Sequence, residues 1–348
     1  MPTRLGKYLL LRKLAEGGMA EVFLAKELDG DGHHVVIKRV LPHLCEDPAF
    51  VRMLVHEAHI AARLTHPNIV RTHELGRERG MYFIAMEYVQ GEDLSALGKR
   101  AEGPFPPGVA LRIACDACAA LHHAHEARDN QGAPLGIVHR DVSPENMVIT
   151  PAGDVKLVDF GVAKATALGG HTLDGRAKGK HAYMAPEQFL GRAIDHRTDQ
   201  FSTAVVIWEL LAGRRLFRRE ADWLTMSAVV EEEAPTLRSI RADVPATLDE
   251  VLARALAKKP DERYPCCHAF AKELERVGEA EGWDMSKQAL AHWLRGLFTD
   301  ESWTRRVHGP ETSPWAPARL ARKRIVVPVA IMLLLAAAVV LAATWLRW

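Results

Sequence analysis

Three side chains with oxygen atoms, two carboxylates and one amide, occur close together in the sequence near the middle of the chain. Asp141 and Asn146 are five residues apart in "HRDVSPEN", and Asp159 follows thirteen residues after Asn146. Carboxylate and amide oxygens suit Mg²⁺, a hard cation that keeps several waters and needs few protein ligands. An Asp and an Asn at this spacing can also be two ordinary loop residues, so the pair needs support from the rest of the chain.

The N-terminal region contains residue types that bind phosphate groups. Gly17 and Gly18 form a glycine turn, and such a turn lets backbone N–H groups approach phosphates without a Cβ in the way. A lone lysine at the end of a strand is usually a surface charge. Lys38 in "VVIK" follows the glycine turn and precedes a glutamate in a predicted helix, Glu57, and this order favours a binding role instead.

Two regions of different character must position these residues. Up to about residue 90, apolar patterns predict strands together with one helix over "FVRMLVHEAHIAARL". After Gly91, segments such as "TDQFSTAVVIWELLAG" have the helical period, and a loop-rich stretch from His139 to Glu187 lies between them. The chain therefore predicts a small β-rich lobe followed by a larger helical lobe.

In their order along the chain, the motifs resemble those of bacterial "eukaryotic-like" serine/threonine protein kinases. The glycine turn, "VVIK", "HRDVSPEN", "DFG" and "APE" carry the resemblance, which runs from about Tyr8 to Val277. Several motifs in the right order are far more specific than any one of them. The resemblance implies an α+β fold of two lobes, with residues 1–90 as the N-lobe and residues 91–277 as the C-lobe.

The resemblance also implies the catalytic roles. Asp141 would accept the proton of a substrate hydroxyl, and Asn146 with Asp159 would hold Mg²⁺ at the phosphates of ATP. Lys38, paired with Glu57, would contact the α- and β-phosphates. The expected ligands are thus ATP and Mg²⁺, with Mn²⁺ as a substitute, and the expected partners are protein substrates.

The implied nucleotide site extends over the glycine loop and the hinge strand "AMEYV". Its remaining members are Ala15, Gly17, Gly18, Val22 and the backbone groups of Glu87 and Val89, with Met86 as the gatekeeper. The first and third glycines of the family's loop are Ala15 and Ala20 here. Alanine fits these places if its φ stays negative.

One departure from the family's pattern concerns the catalytic loop. Kinases of this type usually carry a lysine two residues after the catalytic Asp and a threonine shortly before "APE", whereas this chain has Ser143 and Lys180 there. One interpretation is that the ammonium and the hydroxyl have been exchanged between two touching loops, so that Lys180 stabilises the transferring phosphoryl group. The alternative is that Lys180 is a solvated charge and the enzyme is slow.

Other residues resemble regulatory and structural positions of the family. Arg140 resembles the arginine that senses a phosphorylated activation segment, for which Thr172 is favoured over Thr166 and Tyr183 is a further hydroxyl. Three charged residues resemble positions that support the fold. They are Asp199, expected to brace the catalytic loop, and the ion pair of Glu187 with Arg263.

Composition excludes some classes of protein. The chain has 348 residues with 45 Lys and Arg against 44 Asp and Glu, so no basic footprint for nucleic acid is present. Five cysteines do not make a disulfide framework in a chain of this length. Four residues have a spacing that resembles a zinc site, but one helical stripe cannot surround a tetrahedral ion. They are Cys115, Cys118, His122 and His125.

The C-terminal region predicts a membrane anchor. Residues 325–346 form an uncharged apolar stretch, long enough as a helix to cross a bilayer core of ~30 Å. A helical tail over residues 278–304 and a basic, proline-containing linker over residues 305–324 are expected before it. The basic residues before this stretch place the kinase region in the cytoplasm, with the C-terminus at the far face. Tethering in one plane would favour self-association and phosphorylation between neighbours.

Taken together, these patterns predict a membrane-anchored kinase that transfers the γ-phosphoryl group of ATP to serine or threonine hydroxyls and is activated by autophosphorylation. The alternative is a membrane-tethered pseudokinase that binds nucleotide without efficient transfer. Ala15, Ala20 and Ser143 favour that alternative, whereas the presence of the motif residues in "VVIK", "HRDVSPEN" and "DFG" argues against it.

Overall fold

The computed structural model describes residues 3–29, 32–160, 180–299 and 302–303. Strand-forming sequence is concentrated at the N-terminal end of the chain and builds a six-stranded antiparallel sheet in the order β1-β2-β3-β4-β6-β5. Its strands are β1 (Thr3–Leu5), β2 (Tyr8–Glu16), β3 (Ala20–Glu27), β4 (His34–Val40), β5 (Thr72–Glu78) and β6 (Met81–Glu87). The predicted helix of this lobe is α2 (Pro48–Ala61), preceded by the short α1 (Pro42–Cys45).

Local chemistry starts α2 and packing holds it on the sheet. The Asp47 side chain accepts a hydrogen bond from the Ala49 N–H at 2.8 Å, and Pro48 occupies the first turn, where no intrahelical donor is lost. Phe50 and Leu54 then pack with Ile84 of β6 in a buried cluster. This packing brings the Glu57 side of the helix towards β4, the strand that carries Lys38.

The second lobe is helical, as its sequence period predicts. Its helices are α3 (Leu94–Ala101), α4 (Pro107–His125), α5 (Pro186–Phe189), α6 (Arg197–Ala212), α7 (Asp222–Glu231), α8 (Ala246–Ala255), α9 (Cys267–Ala280) and α10 (Lys287–Gly296). A small sheet, in the order β7-β8-β9, consists of β7 (Glu92–Asp93), β8 (Met147–Ile149) and β9 (Val155–Leu157). The core is centred on α6, where Phe201 and Trp208 are buried.

The hairpin formed by β8 and β9 positions the predicted metal ligands. Asn146 lies immediately before β8, and Asp159 lies two residues after the end of β9. Met147 pairs with Leu157 at the open end of this antiparallel hairpin. Because the pairing fixes both strand ends, two ligands thirteen residues apart in sequence are held at the same end of one hairpin.

The chain after α9 packs against the helical lobe. Trp293 of α10 lies over Phe105 with the ring centroids 4.3 Å apart, and Leu290 and Leu294 are buried. The backbone at Asp284 approaches Gly108 so closely that a Cβ on that glycine would lie 2.5 Å from the Asp284 carbonyl oxygen. The predicted helical tail is therefore in part a packed helix of the lobe. The predicted linker and anchor, residues 305–346, lie outside the described residues.

Within the described ranges, no helix is both long enough and apolar enough to cross a membrane.

The close approach of the tail to α4 predicts a difference between two glycine-to-alanine changes. Gly108→Ala should lower the free energy of unfolding by about 1–3 kcal/mol, because the new methyl group overlaps backbone that cannot easily move. Gly98→Ala, in the interior of α3 with open space at its Cβ, should instead stabilise by roughly 0.5–1 kcal/mol. Urea unfolding of both variants beside the parent measures the two effects. Equal destabilisation by the two changes would contradict the packing described for the tail.

Candidate active site

One buried carboxylate on α6 binds the backbone of the catalytic loop. Asp199 is completely buried, and its two oxygens accept the backbone N–H groups of His139 and Arg140, each at 2.8 Å. Arg140 has a φ of 63°, a left-handed conformation that costs free energy for a residue with a side chain. The two hydrogen bonds to Asp199 stabilise that turn and so determine the position of Asp141, the next residue.

His125 on α4 completes this support. Its Nε2 lies 2.7 Å from an Asp199 oxygen, and its side chain is only 4% exposed. Burial opposes a charged imidazole, but the hydrogen bonds to Asp199 and Cys267 and the negative charge of Asp199 prevail and raise the pKa of His125 to about 10. Burial likewise opposes the Asp199 carboxylate, yet the pKa of Asp199 is lowered, chiefly by its bond to His125. The pair is therefore a buried histidinium and carboxylate at neutral pH.

Asp141 lies at the centre of the candidate site and contacts two other predicted residues. The Asn146 side-chain amide donates to the Asp141 backbone oxygen at 2.7 Å and to the Asp141 Oδ2 at 2.8 Å. The Lys180 Nζ lies 3.0 Å from the same Oδ2. Because the nitrogen of the Asn146 amide is directed to Asp141, its oxygen is the atom left to bind a cation.

Ser143 does not make the hydroxyl contact that the exchange with Lys180 predicts. Its side chain is 1% exposed, and its Oγ has no hydrogen-bond partner in the described part of the chain. The Asp141 Oδ2 accepts hydrogen bonds from both Asn146 and Lys180. The structure therefore places the ammonium at Asp141 and leaves the hydroxyl aside.

Lys38 and Asp159 form the second half of the site. The Lys38 Nζ lies 2.8 Å from the Asp159 Oδ1, across the space between the two lobes. Asp159 has a φ of 59°, and the Phe160 ring that follows it packs on His139 with the centroids 4.6 Å apart. His139 Nε2 also lies 3.1 Å from the Val158 carbonyl oxygen, so the catalytic loop and the Asp159 segment are joined.

The predicted ion pair of Lys38 with Glu57 is not formed in this structure. The Glu57 Oε2 is buried and has no hydrogen-bond partner within the described ranges. Burial raises the pKa of Glu57 to about 7, against the opposing charges of Arg140 and Lys38. Asp159 is the carboxylate that holds the Lys38 ammonium instead.

The glycine loop lies beside Lys38 through strand pairing. Val22 of β3 is paired with Ala15 on one side and with Lys38 on the other. Neither Ala15 nor Ala20 has a positive φ, and the turn between them is closed by a hydrogen bond from the Gly17 N–H to the Ala20 oxygen at 2.8 Å. The two alanines therefore occupy this loop without backbone strain.

The hinge strand is held from the side of the second lobe. Lys156 of β9 donates to the Glu87 carboxylate at 2.9 and 3.1 Å, so the Glu87 side chain is turned away from the cleft. Met86 and Ile84 line a cleft together with Lys38 and Phe160. Val89 follows β6 in irregular backbone, whose groups are not committed to the sheet.

Lys180 is positioned by contacts that the sequence did not reveal. It opens a 3₁₀ turn, Lys180–Tyr183, whose Tyr183 hydroxyl donates to Glu209 of α6 at 2.8 Å. Arg215 donates to the same carboxylate at 2.6 Å. Tyr183 is thus buried and hydrogen-bonded, which makes it a structural residue and a poor acceptor of phosphate. A tyrosine three residues before "PE" is the signal that the sequence offers, and it does not identify Glu209.

The predicted supports of the helical lobe are present. Arg263 binds the Glu187 carboxylate through both terminal nitrogens at 2.8 and 2.9 Å, and both side chains are buried. Among the residues that the structure describes, no cluster of three or more His, Cys, Asp and Glu side chains could hold a metal ion. Thr166 and Thr172 lie outside the described residues.

Comparison with known proteins identifies the family. The family model described as "Protein kinase domain" matches residues 8–274. The chain belongs to the protein kinase family.

Curated relatives differ in the acceptor that their names state. The chain is 46% identical over 310 residues to "Tyrosine-protein kinase MasK" of Myxococcus xanthus. That match covers 88% of this chain and 48% of that protein. It is 38% identical over 264 residues to "Serine/threonine-protein kinase PknD" of Mycobacterium tuberculosis, covering 75% of this chain and 38% of that protein. It is 34% identical over 276 residues to "Serine/threonine-protein kinase PrkC" of Bacillus subtilis, and that match covers 79% of this chain and 41% of that protein. The chain therefore spans less than half of the length of these three relatives.

Solved kinase structures agree with the fold. The crystal structure of the Mycobacterium tuberculosis PknI kinase domain is 31% identical and has a TM-score of 0.62, covering 79% of this chain and 98% of that one. The two-lobed kinase fold predicted from the sequence is confirmed for the described residues by this likeness and by the two regions above.

The donor set of this kinase site fits Mg²⁺. Asp159 supplies a carboxylate whose side chain is 37% exposed, and Asn146 supplies the amide oxygen that faces away from its bonds to Asp141. These oxygen ligands suit a hard cation that keeps part of its water shell. The Lys38 ammonium holds Asp159 between the lobes, where the phosphates of a nucleotide would bring the metal.

The His125–Asp199 pair predicts a distinctive pH dependence of stability. The folded pKa of His125, about 10, lies above the ordinary 6.5, so the folded state binds the proton more tightly. The pair's contribution is therefore complete below pH 6.5 and is lost as the pH rises towards 10, with a slope of up to ~1.4 kcal/mol per pH unit.

Urea unfolding of the parent and of His125→Gln from pH 6.5 to 10 measures this slope. The variant should lose that part of the slope. His122→Gln is a matched control on the same helix, because burial lowers the pKa of His122 below its ordinary 6.5. Parallel curves for the parent and His125→Gln would contradict the buried histidinium.

Proposed function

We propose that this chain transfers the γ-phosphoryl group of ATP to serine or threonine hydroxyls of proteins. One observation carries the proposal: Asn146 and Lys180 both contact Asp141, and Lys38 binds Asp159 in the cleft. A pseudokinase that only binds nucleotide would have little physical reason to keep a base, two oxygen ligands and two ammonium groups in these two sets of contacts. The names of relatives such as PknD and PrkC support serine and threonine as acceptors.

The reaction follows from the placement of these residues. The substrate hydroxyl oxygen forms a bond to the γ-phosphorus while the bond from that phosphorus to the bridging oxygen breaks, and ADP leaves with the electron pair. Asp141 receives the hydroxyl proton. Asn146 orients the Asp141 carboxylate through its amide nitrogen, and Lys38 binds the phosphates of the nucleotide. Asn146 and Asp159 would hold Mg²⁺, which would supply positive charge to the phosphates.

Asp141→Asn tests the proposed base. The change keeps the shape of the side chain and removes its ability to accept a proton, so phosphate incorporation into a protein substrate should fall by about 10²–10⁴-fold. Asp261→Asn, on an aspartate that is 89% exposed and far in sequence from the site, should leave incorporation unchanged. Incorporation from labelled ATP with Mg²⁺, followed by phosphoamino acid analysis, gives both the rate and the acceptor.

The outcomes separate three possible functions: a serine/threonine kinase, a tyrosine kinase and a scaffold that only binds nucleotide. Phosphoserine and phosphothreonine that depend on Asp141 support the proposal. Phosphotyrosine as the main product would overturn the acceptor class and favour the specificity named for MasK. A parent chain that binds ATP and incorporates no phosphate would overturn the kinase function and support the binding scaffold.

Activation by autophosphorylation is a further part of the proposed function. Thr172, or else Thr166, is the proposed acceptor, and Arg140 is the proposed partner of its phosphate. Mass spectrometry of the full chain after incubation with ATP should find phosphate on one of these two threonines, and Thr172→Ala should lower activity towards a second substrate. Phosphorylation whose rate per molecule rises with the surface density of the chain in vesicles would support transfer between neighbours.

We also propose that residues 325–346 anchor the chain in the cytoplasmic membrane, with the kinase region in the cytoplasm. The support is the uncharged apolar stretch itself and the excess of Arg and Lys before it. The full chain should remain with membranes after a carbonate wash. A variant with Leu335→Arg and Ala338→Arg within the stretch should be released, and retention of that variant would argue against a spanning helix.

A further inference from the structure

The position of Lys180 has a consequence for how transfer is controlled. In the catalytic loop, the place two residues after Asp141 is occupied by Ser143, a short and buried side chain that provides no charge. The Lys180 ammonium, which comes from the segment just before Ala185, lies 3.0 Å from Asp141 instead. The positive charge at the base therefore comes from the segment before Ala185 and not from the catalytic loop.

Lys180 is suited to act as a cation. Its side chain is 39% exposed, so the ammonium is accessible from solvent while it contacts Asp141. Burial opposes the charged form, but the nearby carboxylate of Asp141 prevails and raises the pKa of Lys180 above its ordinary value. The group is thus an ammonium at any physiological pH, and its flexible stem allows it to move from Asp141 to a phosphate oxygen.

The position of Lys180 depends on a docked turn. The 3₁₀ turn Lys180–Tyr183 is held on α6 by the buried bond of Tyr183 to Glu209, which Arg215 reinforces. His181 in the same turn lies 3.8 Å from Asp222 at the start of α7. If this turn left α6, the ammonium would leave Asp141 with it.

We propose that Lys180 is the catalytic cation of phosphoryl transfer and that the docked turn, by carrying it, makes transfer conditional on the order of this segment. Resting on the proposed kinase function, the inference assigns Lys180 to the γ-phosphoryl oxygens as the bond to the substrate oxygen forms and the bond to ADP breaks. The substrate proton still goes to Asp141. Tyr183 and Glu209 are positioning residues, which act only by holding the turn.

The first test is removal of the charge with its stem retained. Lys180→Met in the full chain should lower kcat by about 10²–10³-fold, the effect of removing one positioned charge from the transition state. ATP affinity, measured by fluorescence titration, should stay within a few-fold of the parent. Lys180→Arg should keep part of the rate. Thermal unfolding of each variant shows whether the fold is intact.

The second test moves the charge to the catalytic loop. Ser143→Lys with Lys180→Thr should recover most of the rate that Lys180→Met loses. Ser143→Lys alone should lower the rate, because it crowds two ammonium groups at Asp141. If Lys180 were only a solvated charge on a slow enzyme, Ser143→Lys alone would instead raise the rate, and that result would overturn the inference.

The third test concerns the docked turn. Tyr183→Phe removes the hydroxyl that holds the turn on α6 and should lower kcat on the order of tenfold in the parent. It should have a much smaller effect in the double variant, where the charge no longer depends on the turn. A merely structural role of Tyr183 would give equal losses in both backgrounds.

The outcomes also distinguish this inference from the proposed function. An active parent that is disabled by Asp141→Asn but unaffected by Lys180→Met would overturn the role of Lys180 and leave the kinase function standing. A parent without any transfer would overturn both.

Discussion

The buried carboxylate of Asp199 is the interaction on which the geometry of the site depends. A carboxylate without solvent is costly unless it is fully hydrogen-bonded and its charge is balanced. Here two backbone N–H groups of the catalytic loop and the histidinium of His125 meet both needs. The same contacts hold Arg140 in its left-handed conformation, and Asp141 follows directly from that turn. Helices α4 and α6 thus determine the start of the catalytic loop before any ligand is present.

Near this support, the two lysine ammonium groups of the site face three carboxyl groups, so one carboxyl group has no ammonium partner. Lys38 binds Asp159, Lys180 binds Asp141, and Glu57 stays buried with a pKa of about 7. A carboxyl near neutrality at physiological pH changes its charge for a small change in surroundings. In this structure Lys38 binds Asp159 and not Glu57.

The helical lobe extends beyond the last residue matched to the family. The residues after α9 cover α4, and Gly108 has no side chain where the backbone of Asp284 crosses it. Leu290 and Leu294 contribute to the main hydrophobic core. Because buried apolar surface is the main stabilising contribution to a fold, this extension belongs to the lobe and not to a flexible linker.

The sequence by itself determined the family, the two lobes and the identity of the motif residues. Periods of two and near 3.6 are local properties, and the kinase motifs occur in a fixed order along the chain, so both are readable without coordinates. The sequence also marked Ser143 and Lys180 as an unusual pair. It did not reveal the 3₁₀ turn that holds Lys180, since Tyr183, Glu209 and Arg215 meet only after folding.

Only the tertiary structure decided which charges are paired. The sequence indicated Glu57 as the partner of Lys38, and the structure placed Asp159 there, 121 residues away along the chain. Such a choice depends on differences of a few ångströms between lobes and on how much water each carboxylate retains. Those quantities are set by the packing of α2 and of the β8–β9 hairpin, and no local pattern of residues encodes them.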